Sequence, residues 1–261
     1  MGCKLAVQTY TIRDFLKTPE DFATSMQKIA AIGYPAVQLS AVACMDGLTP
    51  AVSVQDARNI LKANGLKCVS THRGWPSLRD ETQKEIDFHG VLKCKHTAIG
   101  GLPKEYHEKG ADGYKQFLDE VAPVIEKLDA AGITFGYHNH AHEFERFGEK
   151  RQTAFEILVK GNKHLSMEVD VYWVAHGGAN PAKVLEELKG RVPVIHLKDK
   201  EVVNREPGYA PVGEGNLDWP TILKAGRKAG VKWYCVEQDT CRRDAFDCLR
   251  SSFEFLKDRK M

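Results

Sequence analysis

Four short apolar runs end in side chains that bind metal ions or move protons. They are Phe135-Gly136-Tyr137-His138-Asn139-His140, Met167-Glu168-Val169-Asp170, Val194-Ile195-His196-Leu197-Lys198-Asp199 and Tyr234-Cys235-Val236-Glu237-Gln238-Asp239. One His at the end of a strand carries little information. His, Asp, His and Glu at the ends of four strands suggest ends that meet. A shared divalent metal ion is the simplest thing that would need them together. The expected ligands are His138, Asp170, His196 and Glu237, with His140 and Glu143 as alternatives for the first place. Such mixed donors suit Mn²⁺, Co²⁺, Fe²⁺ or Zn²⁺.

Each residue also has a plainer reading. Asp170, just before Tyr172-Trp173, could cap a helix, and His196 could be a satisfied core residue. Glu237 could pair with a Lys or Arg, since an ionised carboxylate at a buried strand end needs a cationic partner. As a set, the residues favour the ligand reading. Side chains two apart on a strand share a face. His140, Lys198 and Asp239 therefore point the same way as His138, His196 and Glu237. His140 is expected to face substrate, and Lys198 either to steady an oxyanion or to neutralise Glu168. Gln8, Gln38 and His72 end the first three strands and are candidate substrate contacts. Glu143-Phe144-Glu145 reads as the first turn of a solvated loop. His89, His96, His107, His142, His164 and His176 have no supporting context.

The elements that must position these residues form a repeat: an amphipathic helix, a Gly, then a short β-rich run. The Gly residues are Gly33, Gly65, Gly132, Gly190 and Gly230. A Gly there supplies the left-handed cap that ends a helix. Nearly continuous apolar runs suit parallel strands buried on both faces. Eight strands are expected near 4–8, 36–39, 67–71, 96–99, 133–138, 165–170, 193–197 and 233–237. Helices are clearest from Pro19 to Ile32, Val54 to Asn64, Gly113 to Ala131 and Arg243 to Lys257. Thr18-Pro19-Glu20-Asp21 and Asn180-Pro181 read as helix starts. Eight β-then-α units predict an α/β fold, a (β/α)8 TIM barrel formed as a single domain by residues 1–261. A doubly wound sheet is the runner-up, but Gln8-Thr9-Tyr10-Thr11-Ile12-Arg13 is no Gly-rich phosphate loop. The segment Tyr209 to Trp219 reads as a loop whose Gly residues let the backbone approach a ligand.

The 37 basic and 35 acidic residues nearly balance, and no basic block suggests a nucleic-acid partner. No apolar run approaches the roughly 20 residues of a membrane span. The seven Cys mostly sit in apolar stretches and read as reduced core thiols, with Cys44 and Cys241 in loops. The start of the chain lacks an export segment, which reads as cytoplasmic unless Met1-Gly2-Cys3 marks the cut end of a longer chain. Assembly into a homo-oligomer is left open.

Tyr137-His138-Asn139-His140, Val169-Asp170, His196-Leu197-Lys198-Asp199, Val212-Gly213-Glu214-Gly215 and Val236-Glu237-Gln238 together resemble the xylose-isomerase-like TIM-barrel superfamily. Within it the chain looks like the sugar phosphate isomerase/epimerases and inosose dehydratases, over essentially its whole length. The resemblance implies a divalent metal, often manganese, held by residues matching Asp170, His196 and Glu237, and adds Glu214 as a substrate contact. It departs at two places. His138 stands where many members carry a Glu, and Trp173 replaces the His of an Asp-x-x-His motif. Family epimerases use two metal-bound Glu on opposite faces; here one face would present His138 or His140. The shared chemistry is removal of a proton beside a polarised carbonyl. Glu237 is the expected base, with Lys198 or His140 assisting. The activity the resemblance implies is that of a divalent-metal-dependent isomerase or epimerase of a sugar or sugar phosphate, so the expected partner is a small sugar or polyol. A metal-dependent lyase that dehydrates an inosose or cleaves a 3-keto-glycoside is the close rival. A DNA-repair endonuclease and a non-catalytic sugar-binding barrel are the readings from other classes.

Overall fold

The computed structural model describes residues 4–261. The Met1-Gly2-Cys3 reading lies outside them. Eight parallel strands close on one another: β1 Leu5–Gln8, β2 Ala36–Leu39, β3 Lys67–His72, β4 His96–Ile99, β5 Thr134–His138, β6 Ser166–Asp170, β7 Val194–Leu197 and β8 Trp233–Val236. β1 pairs with both β2 and β8, which closes the sheet into a (β/α)8 barrel and rules out the doubly wound alternative. All eight strands fall where the apolar runs predict them.

The local signals act as expected. Thr18 caps the helix Pro19–Ile32 by accepting from the Asp21 amide at 3.1 Å. Asn180 caps Pro181–Glu187 by accepting from the Ala182 and Lys183 amides. Gly33 and Gly230 end their helices at φ 118° and 85°, a region that penalises a Cβ. The helix expected from Gly113 runs Ala111–Ala130, and the last helix is Ala245–Leu256.

Along each strand, one set of side chains packs outward on the helices and the other fills the barrel. Leu5, Val7, Val37, Tyr137, Ile195 and Tyr234 belong to the large outer core. Ala6, Ala36, Val69, Val194 and Cys235 form a separate cluster of small side chains inside the lower barrel. Above that layer the interior turns polar, with Gln38, Glu168, His196 and Asp170 all buried. Two hairpins were not legible in the sequence: Arg146–Phe147 with Gln152–Thr153, and Asp199–Val203 with Glu206–Ala210. Among the described residues, no helix is long and apolar enough to cross a membrane. Cys44, expected in a loop, is buried at 3% exposure in a 3-10 turn, while Cys241 is half-buried.

Candidate metal centre and active site

The side chains that end β5 to β8 converge at the carboxyl face of the barrel, where active sites of this architecture lie. In-register pairing of Asp170 with His196 and of Cys235 with His196 sets three strands at one level. His138, Asp170, His196 and Glu237 each offer one donor atom, and the four lie within 4.8 Å of one another. His196 Nδ1 is 2.8 Å from Glu237 Oε2 and 3.8 Å from Asp170 Oδ2, and His138 Nε2 is 3.4 Å from Asp170 Oδ2. Two ligands at about 2.1 Å from one ion stand roughly 3.0–3.4 Å apart at tetrahedral or octahedral angles. The donor set therefore fits a divalent ion after shifts of about 1 Å or less.

The rest of His196 supports the same geometry. Its Nε2 lies 2.9 Å from Glu168 Oε1 and 2.8 Å from Gln38 Oε1. A carboxylate behind the far nitrogen is the usual way to fix a ligand imidazole. Glu168 is gripped by the Gln38 amide at 2.9 and 3.0 Å, the Ser70 hydroxyl at 3.2 Å and His72 Nε2 at 2.5 Å. Those partners come from across the barrel, so Glu168 lies on its axis. A register shift after Val37 sets Ser70 opposite Gln38 and so aims both at Glu168.

Lys198 is buried to 1% exposure and lies 3.0 Å from Asp170, 2.9 Å from Glu237 and 2.8 Å from Asp239. It serves the carboxylates at the ends of β6 and β8; Glu168, the alternative partner, is held by others. Burial disfavours charge on Lys198, but Asp170, Glu237 and Asp239 outweigh it and hold the ammonium well above its usual range. Burial likewise opposes ionisation of Glu237, yet Lys198 and His196 hold its carboxyl well below the usual range. For His196 burial is again overcome, by Glu168 and Glu237, and the pKa is pushed up to about 10. Here the acids demand a cation. His138 and His140 behave oppositely: burial and the neighbouring imidazoles push both down, His140 to about 4. A neutral imidazole is the form that can accept a proton or bind a metal.

A cavity of about 440 Å³ opens above the cluster, lined by Gln8, His72, His138, His140, Lys198 and Glu237 among others. Gln8 also caps the following turn by accepting from the Tyr10 amide at 2.7 Å. Two expected contacts are placed elsewhere. Gln38 is fully buried beneath the cavity, bound to Glu168 and His196. Glu214 is on the surface, bound by Arg243 at 2.6 and 2.9 Å and by Ser251. The Gly residues of its loop approach a protein carboxylate in place of a ligand. A Cβ on Gly215 would stand 2.5 Å from Asp199 Oδ1. Asp199 accepts from the amides of Lys200, Gly213, Gly215 and Leu217 and from the Trp219 indole.

Asp170 satisfies both of its readings. Its Oδ1 caps Val171–His176 by accepting from the Trp173 amide at 3.1 Å, while Oδ2 faces the cluster. Trp173 lies 5.4 Å from the Lys198 ammonium and 5.4 Å from the His140 ring. Tyr10, Arg73, Gly100 and Gly101 line the cavity without any signal in the sequence. Glu143 is not in a solvated turn: it is fully buried, accepting from the Tyr137 hydroxyl and the His140 amide, both at 2.7 Å. It stands in a group with His140 and His142, apart from the four residues above.

The chain belongs to the xylose isomerase-like TIM barrel family, whose profile matches residues 26–259. A sugar phosphate isomerase/epimerase from Parabacteroides distasonis superposes with a TM-score of 0.83 over 98% of this chain and 94% of its own, at 22% identity. The probable 3-DHS dehydratase from Bacillus anthracis gives 0.74 over 99% and 100% at 14% identity. L-ribulose 3-epimerase gives 0.70 over 98% and 94% at 13%. At these identities the likeness is one of fold. No curated protein matches the chain.

Proposed function

We propose that this protein is a divalent-metal-dependent isomerase or epimerase of a sugar or polyol, acting by proton abstraction beside a carbonyl. The observation that carries this reading is the buried convergence of His138, Asp170, His196 and Glu237 beneath an open cavity. An ion held there, Mn²⁺ being the expected one, would polarise the substrate carbonyl and acidify the adjacent C–H. Family membership and structural similarity to a sugar phosphate isomerase/epimerase and to L-ribulose 3-epimerase support the substrate class.

Glu237 is the base, because its carboxylate is ionised and lines the cavity. Lys198 presents a cation beside it and steadies negative charge that develops on the substrate oxygen. His140, on the same cavity, exchanges a proton or hydrogen bond with the substrate. His72 and Gln8 at the rim bind substrate hydroxyls.

The mixed lining of the cavity supports a second outcome. Carboxylates (Glu237 and Asp239) and imidazoles (His72, His138 and His140) both line it. A base paired with a separate acid serves β-elimination as well as epimerisation, and one structural neighbour is a probable dehydratase.

Proton NMR in D₂O with ketoses and inososes separates the two. Deuterium gain with a changed stereocentre is expected for the isomerase, and an enone product for the lyase. Asp170→Ala and His196→Ala should each lose bound metal and at least about 10²-fold in activity, and Glu237→Gln a similar factor in kcat. Protein that binds no divalent ion and processes substrate unchanged in these variants would rule the reading out.

A further inference from the structure

A second group of metal-binding side chains lies on the loop after β5. His140, His142 and Glu143 each offer one donor atom, and the three lie within 4.8 Å of one another. His142 Nε2 stands 2.9 Å from Glu143 Oε1. That matches the roughly 3.0 Å between neighbouring ligands of one ion at right angles.

Glu143 is fully buried, and a buried carboxylate is costly without a cation. The cation-forming group against it is the imidazole of His142, whose side chain is 41% exposed. Its other contacts, from the Tyr137 hydroxyl and the His140 amide, are neutral donors.

Two further observations point to a ligand. His140 Nδ1 and His107 Nε2 are both buried without a hydrogen-bond partner. The His107 ring lies 4.6 Å from that of His142, at the edge of the same group. A buried ring nitrogen left unpaired is destabilising, and coordination removes that cost.

We propose that His140, His142 and Glu143, with His107 beside them, hold a second divalent transition-metal ion. It is separate from the one assigned to His138, Asp170, His196 and Glu237. Two or three imidazoles with one carboxylate favour Zn²⁺ or Co²⁺ over Mg²⁺ or Ca²⁺. The ion would pin residues 139–145 to the barrel. His140 would bind it through one ring nitrogen and face the cavity with the other, its orientation set by the metal.

The test is metal stoichiometry of the full chain, stripped with chelator and titrated with Zn²⁺ alone, then with Co²⁺ to read the visible absorption. Wild type should bind two equivalents. His142→Ala, at a partly exposed position, should bind one. Asp170→Ala should also bind one, and the double variant none. Circular dichroism of each variant controls for folding. One equivalent in wild type that survives His142→Ala, or two equivalents retained in His142→Ala, overturns the second site. If wild type binds one equivalent, its loss only in Asp170→Ala leaves the proposed reaction standing without this ion. Its loss only in His142→Ala does the reverse.

Discussion

Lys198 contacts three carboxylates, Asp170, Glu237 and Asp239, while almost wholly buried. Removing one partner of a buried ion pair costs about 3–5 kcal/mol because the other charge is stranded. Lys198→Met is expected to destabilise by an amount in that range in metal-free protein, measured by urea unfolding. Added Mn²⁺ should restore part of it, since the ion would neutralise the same carboxylates. Equal loss with and without the metal would separate Lys198 from the metal centre.

His89 gives a pH-dependent expectation away from the site. It is fully buried, with Nδ1 at 2.6 Å from the Glu85 carbonyl and Nε2 at 2.8 Å from the Thr71 hydroxyl. Burial holds its pKa below the ordinary 6.5, and Arg73 adds to this against the opposing pull of Glu85. As pH falls through about 6.5 the unfolded chain takes the proton before the folded one does. Its contribution is therefore present above that pH and lost progressively below. His89→Gln should flatten the stability profile between about pH 7 and 5, read as urea midpoints. An unchanged slope would show that other groups set it.

At the scale of elements, Asp199 decides how the chain crosses from β7 to β8. Five N–H groups converge on its carboxylate, one of them the Trp219 indole at 2.6 Å. Each buried donor left unpaired costs about 1–3 kcal/mol. Asp199→Ala is expected to lower stability by about 3 kcal/mol or more and to open residues 213–219 to hydrogen exchange. Gly215→Ala should do likewise by pushing on the same carboxylate. Protection of 213–219 unchanged in both variants would refute this account. The segment was legible as Gly-rich, but the object its backbone approaches was not. Asp199 is adjacent to Lys198 in sequence and on the opposite face of the strand, and nothing local says what meets it there.

For the whole molecule, the proposed metal centre ties four barrel strands together at one end. A ligand at 100 times its Kd stabilises the native state by about 2.7 kcal/mol. For a chain of this size that is roughly 5–10 °C in Tm. Mn²⁺ added to chelator-treated protein should produce such a rise, and Asp170→Ala should abolish it. No shift in wild type would count against the centre.

The barrel itself is written locally. Each unit carries its own short apolar run, and Gly33, Gly65, Gly132, Gly190 and Gly230 mark five of the turns into those runs, so eight strands were legible one at a time. The period of two along each strand fixed which polar residues share a face. This is why His138, Asp170, His196 and Glu237 stand out together along the chain. Closure of the sheet decided the rest. It brought Gln38 and Ser70 across the barrel onto Glu168, and it gave Lys198 to Asp170, Glu237 and Asp239. It left Glu214 on an exposed arginine and buried Glu143 beneath the His140 loop. The sequence alone determined the strands and the direction of their side chains, because both follow from local backbone geometry. Only the tertiary structure determined which polar and charged groups face each other, because those partners sit on different strands and meet through a low-dielectric interior, 130 positions apart for Gln38 and Glu168 and 41 for Lys198 and Asp239.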